Sequence, residues 1–335
     1  MKKLVSIFLI LVLALSAVSA SAVKLGELSY LNDDGSKRAK LLLEVYNTLE
    51  KNNIALFRAP DSDSSAFDEI EVVPFDYLNS MFMALQNGQI DMMITYSKVF
   101  NYLMVQNGIQ PGEDYKDLNT GEVRDVFSAG SEYSALPPEV QYMMDQILGT
   151  DFSFMLKDSD TALRDEINAA IAELKADGSI QKMMQDQFDA LKEGKPLEAT
   201  EIEKIEGADT IRVAVTGDLP PMDFIDENGK PAGFNTAVLS AISKKIGKNI
   251  ELVSIDSGAR AVALASGSVD AVFWCRTAAP DIELAKQLPE DKKLGIAMLL
   301  AAVVDMRDSS LDVPDNTILT DPYWHDVYVL RDWRN

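Results

Sequence analysis

Ile211-Arg-Val-Ala-Val-Thr-Gly-Asp-Leu-Pro-Pro-Met-Asp-Phe-Ile-Asp-Glu-Asn-Gly-Lys-Pro-Ala-Gly-Phe-Asn235 sets the fold class. Ile211 to Thr216 reads as a strand, and Asp226-Glu-Asn-Gly229 as a hairpin turn rather than a phosphate-binding loop. Phe234 to Ile246 reads as a helix ended by Gly247, followed by a strand at Ile250 to Ile255. A helix at Ala259 to Ala265 and a strand at Ala271 to Trp274 continue the alternation. Strands that alternate with helices imply parallel sheets covered by helices on both faces.

The same alternation precedes this stretch. Lys24 to Leu31, Ile70 to Phe75, Ile90 to Thr95 and Phe152 to Leu156 read as strands. Ser36 to Lys51, Leu78 to Gln86, Lys98 to Val105, Thr161 to Ala176 and Ile180 to Leu191 read as helices. Ile70-Glu-Val-Val-Pro-Phe-Asp76 matches Ile250-Glu-Leu-Val-Ser-Ile-Asp256, and Ala84-Leu-Gln-Asn-Gly-Gln-Ile-Asp91 matches Ala263-Leu-Ala-Ser-Gly-Ser-Val-Asp270. The two blocks hold eight identities, at offsets of 180 and 179, and so predict two similar lobes. Between the halves, residues 192–208 are charged and contain Gly and Pro. They read as a linker, with a surface helix over Leu197 to Ile205 as the alternative.

The 335 residues include 31 Lys and Arg, 53 Asp and Glu, one His and one Cys. A net charge of −22 argues against a nucleic-acid binder and against docking on anionic lipid. One Cys excludes an intramolecular disulfide framework, and one His excludes a multi-His metal site. Asp61-Ser-Asp-Ser-Ser65 lacks the Gly and the bidentate Glu of a calcium loop and reads as an acidic turn. Lys2 and Lys3, the apolar run Leu4 to Val18 and the small residues Ala20, Ser21 and Ala22 form a secretory signal peptide over residues 1–22. No Cys follows as a lipid anchor, and no later run is long enough to span a bilayer. The mature chain is expected to start at Val23 in the periplasm or another exported compartment, with a net charge of −24 once Lys2 and Lys3 are removed.

The 211–235 stretch resembles the opening of bacterial extracellular solute-binding proteins of the polar amino-acid type, family 3. Ala263-Leu264, Gly267 and Asp270 follow at that family's spacing, and Thr320-Asp-Pro-Tyr323 resembles the point where its chain leaves the first lobe. Phe152 to Lys182 is similar to the family's closing strand and C-terminal helices. The family's ending therefore precedes its beginning. The resemblance implies an α/β fold of two Rossmann-like lobes joined by a hinge, with the lobe order circularly permuted or, alternatively, two tandem modules with the second cut short. On that reading residues 23–191 are a second-lobe-like domain with the C-terminal helices, 192–208 the linker, and 209–335 the first-lobe-like domain.

The resemblance also implies an inter-lobe ligand cleft. This chain departs from the family there: Leu219 and Met222 occupy aromatic slots, Phe224 is kept, Ile282 stands in place of the carboxylate-gripping Arg, and Tyr96-Ser97 replaces the amine-binding acid. The expected ligand-binding residues are Asp218, Met222, Phe224, Arg260, Trp274, Arg276 and Thr277. Arg260 and Arg276 stand at a helix start and a strand end, where parallel sheets place ligands, and either suits an anion. For each, pairing with a surface acid is the competing role; for Trp274, core packing; for Asp218, a turn. Tyr323, Trp324 and His325 are placed at the hinge, lining it or packing within it. No catalytic residue, metal or cofactor is expected. The implied function is capture of a small polar solute, amino-acid-like or another small anion, by a monomer that serves a membrane ABC transporter permease. A degenerate fold that binds a partner protein is the first alternative. A dehydratase-like enzyme, with Asp218 and Asp223 as its acids, is the second.

Overall fold

The computed structural model describes residues 23–28, 70–107, 114–116, 123–125, 149–197, 199–277 and 313–331. The signal peptide, the helix expected at Ser36 to Lys51, the acidic turn at 61–65 and the segment from Asp281 to 312 lie outside the described residues.

Two parallel units stand out. In the N-terminal one, β1 (Val23–Leu28) lies between β2 (Ile70–Phe75) and β3 (Met92–Tyr96), parallel to both. In the C-terminal one, β7 (Thr210–Val215) lies in the same way between β11 (Asn249–Ser254) and β12 (Ala271–Thr277). Helix α1 (Leu78–Gln86) leads from β2 to β3, and α6 (Arg260–Ser266), entered through a 3-10 turn at Ser257–Ala259, leads from β11 to β12. The blocks matched by sequence occupy equivalent places. The Lys24 N–H donates to the Asp91 carboxylate at 3.0 Å, and the Asp91 N–H to the Lys24 carbonyl at 2.8 Å. Arg212 and Asp270 repeat that exchange at 2.8 Å in each direction.

Two strands join the units. β6 (Gly149–Lys157) pairs antiparallel with β12, with β13 (Thr317–Leu319) and with β14 (Trp324–Arg331). β14 pairs with β6 through Trp324 to Val327 and with β3 through Tyr328 to Arg331. Each crossing strand thus follows one unit in sequence and completes the sheet of the other. The sheet runs β11-β7-β12-β6-β14-β3-β1-β2. Aromatic contacts stitch the crossing: Phe152 stacks on Phe273 at 5.7 Å, Phe154 on Tyr323 at 4.7 Å, and Tyr96 meets Phe152 edge-on at 5.0 Å. A short ladder, β4 (Asp114–Lys116) with β5 (Val123–Asp125), stands apart.

Helix α2 (Ser97–Gln106) follows β3 directly. Helices α3 (Thr161–Ala176) and α4 (Ser179–Lys192) pack on α5 (Phe234–Ile246), and so cover the C-terminal unit although they follow β6. Lys245 on α5 reaches Glu173 on α3 at 2.8 Å. Of the described residues in 192–208, none beyond Lys192 is helical. Leu197 and Ile202 pack against the core, and the Asn249 side chain accepts from the Ile205 N–H and donates to the Ile205 and Ala208 carbonyls.

Three differences from the sequence expectations have physical causes. β14 was not foreseen as a strand, because Trp324-His-Asp-Val-Tyr328 shows no clean alternation: its polar groups are answered by residues far along the chain. β6 starts earlier, at Gly149, because its first residues pair with β14. β7 ends at Val215, because the next N–H, that of Thr216, donates to the Asp223 carboxylate.

Candidate functional site

The C-terminal ends of parallel strands leave a crevice where the order of the sheet reverses. Here β12 runs parallel to β7 and, from Val272 to Thr277, pairs with the crossing strand β6. After β7 the chain makes a small antiparallel sheet, β8 (Asp218–Leu219), β9 (Asp223–Ile225) and β10 (Pro231–Ala232), around a cis Pro220–Pro221 bond. Asp218 pairs with Phe224 and Leu219 with Asp223, so Asp218 and Phe224 share one face, and Leu219 and Asp223 the other.

Asp223 is fully buried. Its carboxylate accepts from the Thr216 N–H at 3.1 Å and the Gly217 N–H at 3.2 Å. Desolvation outweighs these bonds, and with help from the Asp218 charge it pushes the carboxyl up to about 6. Asp218 is half-buried, and desolvation raises its carboxyl as well, against opposition from Thr216 and Arg260. One Asp218 carboxylate oxygen, Oδ1, is buried with no hydrogen-bond partner.

Arg260 opens α6. Its Nη1 donates to the Phe273 carbonyl at 2.8 Å, and its guanidinium stands 5.2 Å from the Phe273 ring and 5.5 Å from that of Trp274. The cation is held over aromatic faces at the end of β12 and acts electrostatically on both aspartates. Trp274 is half-buried and also packs against the smaller core under α6. Arg276, two residues on, is half-buried, and its Nε is buried without a partner. Its carbonyl accepts from Thr150 Oγ1 at 3.0 Å. Thr277 ends β12 opposite Thr150. Met222 is 0% exposed and belongs to the main core, a packing place rather than a lining one. The structure thus brings Asp218, Arg260 and Trp274 together, with Phe224 paired to Asp218 across β8 and β9 and Arg276 two residues beyond Trp274 on β12.

Beneath them, Tyr323 is buried and donates to Asn235 Oδ1 at 2.8 Å. Burial first, then the Cys275 and Asp223 charges, hold its hydroxyl well above the ordinary tyrosine range. On the crossing strands His325 Nδ1 meets Asp151 Oδ1 at 3.0 Å, opposite Arg276 on the next strand. Sequence reasoning missed Asp151, Thr150 and Asp326. Each is an ordinary polar residue until the register of β6 and β14 is known. Among the described residues, no group of three or more His, Cys, Asp or Glu is placed to hold a metal, and no helix is long and apolar enough to cross a membrane.

Residues 211–281 match the bacterial extracellular solute-binding proteins, family 3. The matched segment is about a fifth of the chain and carries Asp218, Phe224, Arg260, Trp274 and Arg276. The family matched is one of binding proteins. No curated protein sequence matches the chain. Among solved structures, the chain is similar to the ligand-binding component of an ABC-type import system from Staphylococcus aureus with zinc bound (9% identity, 92% of this chain and 65% of that one, TM-score 0.34). It is similar to AgaA from A. tumefaciens R10 in complex with agropinic acid (14% identity, 78% of this chain and 55% of that one, TM-score 0.34). It is also similar to the periplasmic aliphatic sulphonate binding protein SsuA from Escherichia coli (13% identity, 90% and 82%, TM-score 0.31). The chain spans under two thirds of the length of the first two. The fold rests on this chain's own strand register.

Proposed function

We propose that this chain is an exported solute-binding protein. It captures a small polar solute, amino-acid-like or another small anion, between its two units and passes it to a membrane ABC transporter permease. One observation carries the reading: Arg276 Nε on β12 and Asp218 Oδ1 on β8, which follows β7, are both buried and both without a hydrogen-bond partner. Leaving such a group unanswered costs about 1–3 kcal/mol, and more for a charged group. A solute that offers an acceptor to Arg276 and a donor to Asp218 relieves both. Arg260 already has a carbonyl partner and two rings, so it supplies the field rather than the first bond.

The same geometry supports the domain reading. Residues 23–191 supply one parallel unit, β6 and the helices α3 and α4; residues 209–335 supply the other unit and β14; and 192–208 connect them. The matched segment begins only at Ile211, while α3 and α4 precede it and cover it. This supports a permuted lobe order. The signal sequence over residues 1–22 places the mature chain outside the cytoplasm, where it acts as a monomer and turns nothing over.

A thermal-shift screen of the chain from Val23 onward, against amino acids, small carboxylates, peptides and sugars, tests this. A ligand that binds only the folded state adds about 2.7 kcal/mol of stability at a hundredfold excess over Kd. Stabilisation by one class, lost in Arg276→Ala, is the expected result. A flat response from a cooperatively folding chain overturns the reading.

A further inference from the structure

The two units answer the same structural position with groups of different charge. Asp91 and Asp270 are equivalent, so Ser97 at the start of α2 corresponds to Arg276 at the end of β12. Tyr328 pairs with Tyr96 as Phe152 pairs with Cys275, so Asp326 on β14 corresponds to Thr150 on β6. Asp326 and Thr150 are also direct partners across the two crossing strands, which puts the pseudo-twofold axis on their rung.

Their contacts follow this equivalence. Thr150 Oγ1 donates to the Arg276 carbonyl, a neutral contact that leaves the guanidinium untouched. Asp326 is 5% exposed, and its carboxylate accepts from the Ser97 hydroxyl and from the Lys98 N–H, the latter at 3.3 Å. The start of a helix favours an anion through its free N–H groups and its dipole. In this protein that place is filled by a carboxylate from the chain itself.

We infer that Asp326 sets the charge preference of the cleft. It takes the anion position of the N-terminal unit from within, so the solute carries its anionic group on the Arg276 side only. Toward α2 the solute presents an uncharged or cationic group. A solute with an anion at each end is rejected, because its second anion meets a buried carboxylate instead of free N–H groups. This rests on the cleft reading given above.

Inorganic sulfate is a suitable probe, followed through the backbone amide signals of the full mature chain. In the wild type, sulfate is expected to shift signals around Arg276 and to leave those of Ser97 and Lys98 flat. Asp326→Thr, which installs the residue type of position 150, is expected to gain a saturable shift at Ser97 and Lys98. A saturable shift at those two amides in the wild type overturns the inference. So does a folded Asp326→Thr variant with no response there. If that variant does not fold, the wild-type titration decides alone. Absence of any shift around Arg276 in either protein counts against the cleft reading and is told apart from the α2 result.

Discussion

Replacing Asp223 by Asn should remove a specific part of the pH dependence of stability. A carboxyl raised from 3.8 to about 6 by burial binds its proton more tightly in the folded chain than in the unfolded one. Its contribution to stability is therefore fully present below the unfolded value and is lost as pH rises through the folded value. At 1.36 kcal/mol per unit, the loss between about pH 4 and 6 amounts to about 3 kcal/mol. Other acids titrate over the same range, so the quantity to follow is the difference between wild type and Asp223→Asn. Asn keeps one acceptor oxygen, whereas Thr216 and Gly217 each donate to a different oxygen of Asp223. The variant therefore carries a pH-independent penalty of about 1–3 kcal/mol for the unanswered N–H. Urea melts at a series of pH values should show the variant gaining on the wild type through the window by about 3 kcal/mol, with flat differences on either side. Parallel curves across the whole range would refute the argument that burial dominates at Asp223.

Gly233 has φ 101°, and a Cβ there meets the Pro221 carbonyl oxygen at 2.7 Å and that of Met222 at 2.8 Å. Those carbonyls accept the first N–H groups of α5, so Gly233→Ala should cost about 2 kcal/mol or more in a urea melt. Gly88→Ala, at φ 67° with open space around its Cβ, should cost only about 1 kcal/mol. Tyr323→Phe leaves Asn235 Oδ1 without its donor in a fully buried place, and a loss of about 1–3 kcal/mol is expected by the same assay.

Much of the fold was legible because its signals are local. Helices α3 and α5 fall where the apolar spacing and the stops at Gly178 and Gly247 put them. The repeat was legible because Asp91 and Asp270 make the same bracket with the first strand of their units. Of the crossing strands, β6 was legible over Phe152 to Leu156 and β14 was not. Polar residues of β14 are satisfied at long range, Asp326 by Ser97 and His325 by Asp151, and nothing local announces that. For the candidate site, Arg260 and Arg276 are proposed from their places at element ends, and Asp218 from its place in the family-like motif. Which of them lacks a partner is a property of burial: Arg260 is answered by the Phe273 carbonyl, whereas Arg276 Nε is not. Met222 reads as a lining residue from its place in the motif, yet the turn between β8 and β9 folds it into the core.

Calorimetric titration of the best small acid from the thermal screen, against the wild type, Arg276→Ala and Asp218→Asn, tests the central claim most directly. The account predicts a single site in the wild type and at least about 30-fold weaker binding in Arg276→Ala, the loss expected when one partner of a buried charge pair is removed. Asp218→Asn should weaken solutes that carry a donor and spare those that do not. Undiminished binding in both variants would contradict the account, because the solute would then be held elsewhere on the chain.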